Sequence, residues 1–272
     1  MTTTATPAAG AHVNAEPRTY LNYIDGEWRP SASGQTFDDT NPARSAEVVA
    51  RFQRSMAADV DAAIAAAARA FPAWRDVPAP ERGEIILRAA LILERDRDRI
   101  AALMTREMGK PVKETQGDMQ TAIDIAKYVA GEGRRPEGAT VPSAMRDKIA
   151  LTLRQPLGVV GIITPWNFPM AIPAWKTFPA LLAGNTVVLK PASDTPLSAA
   201  ALVEALIEAG IPAGVLNFIT GPGGTMGDAI VTDPRVAMIS LTGSTEVGKH
   251  VAELCGRDLK RCSLELGGKN AV

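Results

Sequence analysis

From residue 149 onward the rhythm of the chain changes to short apolar runs rich in β-branched residues, the later ones alternating with stretches of helical spacing. I-A-L-T-L-R at 149–154 alternates with period two, as a half-exposed strand does. V-V-G-I-I at 159–163 is apolar throughout, which suits a strand covered on both faces. T-V-V-L-K at 186–190, V-L-N-F-I at 215–219 and V-A-M-I-S-L-T at 236–242 follow, and K-R-C-S-L-E-L closes the series. Helices are expected over 196–209, ended by Gly210, and from near Gly223 and Ser244. Strands alternating with helices imply crossover connections, and these make neighbouring strands parallel. The expected class is α/β with a mainly parallel sheet.

The first half reads differently. Asp25-Gly26 between two short β-prone runs, within L-N-Y-I-D-G-E-W-R, signals a hairpin. Three helices are expected next. Val60, Ile64, Ala67 and Phe71 mark the first, with Ser55 as its N-cap. Ile86, Ala90, Leu93, Ile100 and Met104 mark the second, with Pro80 in its first turn and Gly109 and Pro111 as its stop. Val112, Met119, Ile123, Ala126 and Ala130 mark the third, up to Gly131 and Gly133. The alternating charges at 94–99 suit a solvated helix face.

A chain of 272 residues, 46% hydrophobic and 22% charged, buries a sizeable core in about two domains or one large α/β unit. Its net charge of -1 argues against a polyanionic partner, so no nucleic acid is expected. No apolar run reaches the roughly 20 residues a membrane span needs. Two cysteines in such a chain fit a reducing, cytoplasmic compartment. The first 18 residues are small and polar, lack an apolar signal core, and read as a loose arm.

Ligands of parallel sheets bind beyond the carboxyl ends of the strands. Three stretches fall there. In I-T-P-W-N-F-P, Pro165 and Pro169 fix two φ angles around Asn167, whose amide N–H is able to donate to a developing oxyanion. The alternative is a rigid loop with Trp166 and Phe168 packed inside. Lys190 ends its strand, within reach of ribose hydroxyls or a phosphate, or is an ordinary surface lysine. In T-G-S-T-E-V-G a strand runs through Gly243 into a helix at Ser244, an anion site suited to pyrophosphate. T-G-P-G-G-T-M-G, with Gly223 and Gly227, is a weaker turn of the same kind. Glu265 has the setting of a carboxylate base. Cys262 lies three residues before it, so in a strand the two face opposite sides. Cys255 falls on the apolar stripe of Val247, Val251 and Leu254 and is expected to be buried. His12 and His250 have no metal-binding spacing, and no metal site is expected.

P-W-N-F-P at Pro165, V-L-K-P-A-S at Val188, L-T-G-S-T-E-V-G at Leu241 and L-E-L-G-G-K-N-A at Leu264, in this order, resemble the marks of the aldehyde dehydrogenase superfamily. Y-I-D-G-E-W and Asn41-Pro42 are similar to its N-terminal segment. The resemblance implies a variant Rossmann-like sheet with helices on both faces. It implies coenzyme-domain segments at 19–133 and 156–266, an oligomerisation arm at 134–155, and the start of a truncated catalytic domain at 267–272. The chain would then be a little over half of a usual member. The family's nucleophile is a cysteine a few tens of residues beyond the glutamate, and no residue here fills that place.

The resemblance further implies NAD or NADP as cofactor, a small aldehyde as substrate, and a homodimer or homotetramer. Glu265 would be the base and Asn167 the oxyanion donor. Coenzyme contacts would come from Ile163, Thr164, Pro165, Trp166, Lys190, Ser193, Gly223, Gly227, Gly243, Ser244 and Leu266. Phe168, Ile172 and Trp175 would line an apolar substrate tunnel. Members preferring NAD often carry glutamate where Ser193 stands, so NADP is expected to be accepted. Members that oxidise carboxylate-bearing semialdehydes often carry arginine where Trp175 stands, which favours a less polar aldehyde or a carboxylate held by another wall. Two other readings remain open: a non-catalytic dinucleotide-binding or subunit-pairing module, and an enzyme of another class using Cys262.

Overall fold

A computed structural model describes residues 16–135, 138–269 and 271. The expected arm at 1–18, with His12, lies mostly outside them, as do parts of the 134–155 and 267–272 segments. The chain opens with the hairpin β1 (Asn22–Ile24) and β2 (Glu27–Arg29), turning at Asp25 and Gly26, both at positive φ. A separate antiparallel pair follows, β3 (Thr36–Thr40) and β4 (Val48–Gln53). Four helices come next: α1 (Ala57–Asp76), α2 (Ala79–Arg95), α3 (Arg97–Met108) and α4 (Val112–Glu132). A small hairpin, β5 (Thr140–Val141) with β6 (Ala150–Leu151), leads to the βα units. These are β7 (Val159–Ile163), α5 (Ala171–Leu182), β8 (Thr186–Lys190), α6 (Pro196–Glu208), β9 (Leu216–Phe218), α7 (Gly223–Thr232), β10 (Val236–Gly243), α8 (Thr245–Arg257) and β11 (Arg261–Leu266).

The main sheet has the order β11-β10-β7-β8-β9-β1-β2. β7 to β11 pair in parallel, and the N-terminal hairpin adds antiparallel to β9. The chain winds one way from β7 to β9 and then returns to the far side of β7 as β10. The reversal leaves a crevice between the carboxyl ends of β7 and β10. Two apolar clusters cover the sheet. Val160, Ile162, Val187 and Leu189 pack with residues of α2 to α6. Val159 and Val188 pack with α1, α7 and α8 on the other face. This two-sided cover explains the unbroken apolar runs of β7 and β8.

Several sequence expectations need correction. The second expected helix is two, broken at Asp96 between α2 and α3. Asp96 accepts from Arg95 and Arg99, so the alternating charges saturate a break rather than one continuous face. Ser55 does not cap α1. Its hydroxyl binds Asn22, while Asp59 reaches back to the Met56 N–H at 2.8 Å. The strand expected at 149–154 is paired only at Ala150–Leu151. Helix α5 was not expected at all, because Pro173 and Pro179 interrupt its pattern. Pro173 sits in the first turn, where a missing N–H costs nothing.

Candidate functional site

Parallel register sets the geometry. Leu264, Leu241, Ile163 and Lys190 lie in one row across β11, β10, β7 and β8. One step further on, Glu265 stands beside Thr242, and Leu266 beside Gly243. The loop after β7 crosses the same edge. A cavity of about 520 Å³ opens there, and Asn167, Phe168, Ile172, Trp175, Ser244 and Glu265 are among the residues lining it. Pro165, Trp166, Gly243 and Leu266 line it as well. Three separate stretches of sequence thus bring their candidate residues to one crevice.

The post-β7 loop does not fold inward. Trp166, Asn167 and Phe168 are exposed, which removes the alternative of a loop packed on its own aromatics. Glu265 is half-exposed and held at two points. Thr242 Oγ1 donates to its Oε2 at 2.9 Å, and Lys176 Nζ lies 3.3 Å from its Oε1. Lys176 stands on α5, nearly wholly buried, and also donates to Ser240 Oγ at 3.2 Å. Burial pulls its ammonium below the usual lysine range, while the Glu265 carboxylate opposes that pull. Lys176 and Thr242 were not singled out from sequence. Their one available signal was position: Thr242 ends a strand, and Lys176 is a lone charge in an apolar helix.

The two faces of β11 separate as the alternation requires. Glu265 turns toward α5, whereas Leu266 packs on Gly248 and Cys262 meets the thiol of Cys255, both on α8. Cys255 is buried, and burial pushes its thiol up to about 11. Neither cysteine lines the cavity. His250 pairs with Asp228 at the surface, and among the described residues no cluster suited to a metal ion occurs.

The expected coenzyme residues distribute along the same edge. Ser244 caps α8, its hydroxyl accepting from the Val247 N–H at 3.2 Å. The N–H groups of Thr245 and Glu246 belong to the first turn, which has no intrahelical acceptors for them. Gly223, Gly224 and Gly227, at the start of α7, have open space where side chains would stand. Such a mouth and such a bare turn suit the phosphates of a dinucleotide. Thr164 is buried, and its N–H donates to the Lys190 carbonyl at 3.2 Å, tying the two strand ends. Lys190 is not an ordinary surface lysine. It is buried, its Nζ donates to the Pro191 carbonyl at 2.9 Å, and burial lowers its pKa to about 8. Ser193 donates to the Gly221 carbonyl at 3.0 Å and borders a neighbouring cavity shared with Trp166, Asp39, Glu107 and Asp194.

With this geometry in place, likeness to known proteins becomes informative. A family model described as "Aldehyde dehydrogenase family" matches residues 28–272. The chain belongs to the aldehyde dehydrogenase family. An alpha-ketoglutaric semialdehyde dehydrogenase of Bacillus subtilis is 45% identical over 260 residues, which is 96% of this chain and 53% of that protein. The NADP(+) succinate-semialdehyde dehydrogenase of Escherichia coli is 45% identical over 90% of this chain and 51% of its own length. Among solved structures, an NAD-dependent aldehyde dehydrogenase from Sinorhizobium meliloti superposes with a TM-score of 0.92 at 38% identity, covering 98% of this chain and 53% of that one. This aldehyde dehydrogenase chain therefore spans about half the length of the curated relatives it matches. No helix among its described residues is long and apolar enough to cross a membrane.

Proposed function

We propose that this chain supplies the coenzyme site, the oxyanion donor and the general base of an NAD(P)-dependent aldehyde dehydrogenase. The observation that carries the reading is the meeting of Asn167 and Glu265 in one cavity beside the mouth of α8. Residues 19–133 and 156–266 act as the coenzyme domain, 134–155 as an arm that pairs subunits into a homodimer or homotetramer, and 267–272 as the entry to the catalytic domain. The nucleophilic thiol comes from outside these residues, since Cys255 is buried and Cys262 faces away from Glu265.

A bound nicotinamide would supply the hydride acceptor for the aldehyde carbon. The protein's part is to bind, orient and move protons. The α8 mouth and the glycine turn at α7 would hold the pyrophosphate, and the Ile163–Trp166 backbone, Lys190, Ser193 and Leu266 would hold the rest. The side-chain amide of Asn167 donates to the oxygen that becomes negative as the thiol attacks. Glu265 takes a proton from the water that hydrolyses the resulting thioester. Thr242 and Lys176 keep its carboxylate in reach of that water.

Phe168, Ile172 and Trp175 form an apolar wall for the aldehyde. The Bacillus subtilis and Escherichia coli relatives act on semialdehydes, and Trp175 brings no positive charge, so an anionic far end would be held by another wall. NADP is accepted alongside NAD. Asp194 beside Ser193 opposes a phosphate there, but Ser193 lacks the further repulsion a glutamate would add.

The deciding experiment uses the full-length protein that carries this chain. Asn167→Ala lowers kcat by roughly 10²–10³, the usual cost of one oxyanion donor. Glu265→Gln retains a single-turnover burst of reduced coenzyme and loses steady turnover. Full steady turnover in both variants would remove the assignment. Ser193→Glu shifts kcat/KM toward NAD, and an unchanged NADP/NAD ratio would reject the coenzyme argument.

A further inference from the structure

The loop that carries Asn167 runs directly into α5, and one backbone hydrogen bond decides where the helix starts. In an α-helix each N–H donates to the carbonyl four residues earlier. Ile172 obeys, donating to Phe168 at 3.1 Å. The bond before it would join the Ala171 N–H to the Asn167 carbonyl. It is not made. The Ala171 N–H donates instead to Asp118 Oδ1 at 2.7 Å, and the Asn167 carbonyl accepts from Lys110 Nζ at 2.7 Å. Both partners come from outside the loop. Asp118 lies on α4, wholly buried, and Lys110 sits in the turn between Gly109, at φ 79°, and Pro111. Nζ of Lys110 is 3.8 Å from Asp118 Oδ2, so the two charges compensate each other.

We infer that Lys110 and Asp118 are positioning residues that take up the acceptor and the donor of the helical bond between residues 167 and 171, and so hold Asn167 out of α5 with its amide toward the cavity. This rests on the reading of Asn167 as oxyanion donor. The geometry has a second anchor: the Lys110 ammonium lies 3.7 Å from the centroid of the Phe168 ring, on the next residue of the loop. A cation on that face and a hydrogen bond to Asn167 restrain two successive residues from one side chain. Pro169 keeps Phe168 out of the helical region, so the loop is held open from both directions. Lys110 touches no reacting atom. Its effect passes through the backbone of Asn167, and a displacement of about 1 Å in a catalytic group already costs up to 10²-fold.

The test compares Lys110→Met, Lys110→Arg, Asn167→Ala and the double variant Lys110→Met/Asn167→Ala in the full-length protein. Methionine keeps the length of the side chain and removes its donor and charge. Lys110→Met is expected to lower kcat about tenfold, part of the loss of a whole oxyanion donor, with the coenzyme KM unchanged. Arginine is expected to restore most of the rate. In the Asn167→Ala background, Lys110→Met is expected to change kcat by less than about twofold, the non-additivity of two residues acting as one unit. Hydrogen exchange of the 165–172 peptide should accelerate in Lys110→Met while exchange in β7 and β8 stays as in the parent. A full tenfold loss in both backgrounds would show that Lys110 acts elsewhere and would overturn the inference, as would unchanged exchange. If exchange accelerates and kcat is untouched even in Asn167→Ala, Lys110 holds the loop and it is the oxyanion reading that fails.

Discussion

At the scale of single residues, Glu265 shows how much of a site lies outside its motif. L-E-L-G-G-K announces the carboxylate, but Thr242 and Lys176 orient it, from the neighbouring strand and from a helix 89 residues earlier by the numbering (265 − 176). Lys176 is a buried cation whose value depends on its partner. Lys176→Met is expected to leave the melting temperature unchanged or raised, because a buried charge is replaced by an apolar side chain of similar volume. Steady turnover should nevertheless fall, by less than in Glu265→Gln, since the base keeps only its Thr242 contact. Thermal unfolding and pre-steady-state kinetics on one preparation separate the two effects. Local sequence made the strand faces readable, and hence the mutual exclusion of Cys262 and Glu265. It did not reveal Lys176 or Lys110, because long-range side-chain contacts leave no periodicity.

At the scale of elements, the strands of the second half were legible almost residue by residue. Burial on both faces gives β7 an unbroken apolar run, and the β-branched residues of β7 and β8 set them apart from the alanine-rich runs of α2 and α6. Helix α5 was hidden by its prolines, and the β3–β4 pair by the polar T-F-D-D-T, whose Asp39 is in fact buried. Asp39 faces Glu107 of α3, and Glu107 caps α6 by accepting from the N–H groups of Leu197 at 2.5 Å and Ser198 at 3.0 Å. Glu107→Ala leaves those buried donors without acceptors and is expected to cost on the order of 3 kcal/mol, read by denaturant unfolding. Burial, with Glu107 beside it, pushes the Asp39 carboxyl well above the usual carboxylate range. An acid whose folded value is raised favours folding below its unfolded value, and that contribution is lost as pH rises through the folded one. Stability should therefore decline as pH rises above the ordinary carboxylate range of about 4, and Asp39→Asn should flatten the decline. A melting temperature equally dependent on pH in both proteins would contradict this.

Packing between elements also reaches the cavity. Gly248 of α8 lies so close to β11 that any side chain there would strike Leu266. Leu266 lines the cavity, so Gly248→Ala is expected to push it inward, raising the coenzyme Kd while lowering stability only slightly. Titration calorimetry with NAD and NADP checks the first part, and thermal unfolding the second.

At the scale of the whole molecule, the two ends of the sheet differ. Among the described residues β11 stands at one edge of the main sheet, and the separate β5–β6 segment carries exposed apolar groups, among them Ile149 at 85% and Leu153 at 69% exposure. Apolar surface of this kind suits contact with another subunit. Leu153→Asp is expected to lower the oligomeric mass in analytical ultracentrifugation, and an unchanged mass would reject the role proposed for this arm.

The other end of the sheet is the β1–β2 hairpin, joined through β1 to β9. Asn22 accepts from the Thr220 N–H, 198 residues away, and Asp25 donates to Asn217. A ribosome adding roughly 5–20 residues each second delivers those partners some 10–40 s after the hairpin has emerged. Throughout that wait β1 has β2 on one side and no β9 on the other, so Tyr23 and Ile24, buried in the folded protein, stay open to water until the last third of the chain arrives.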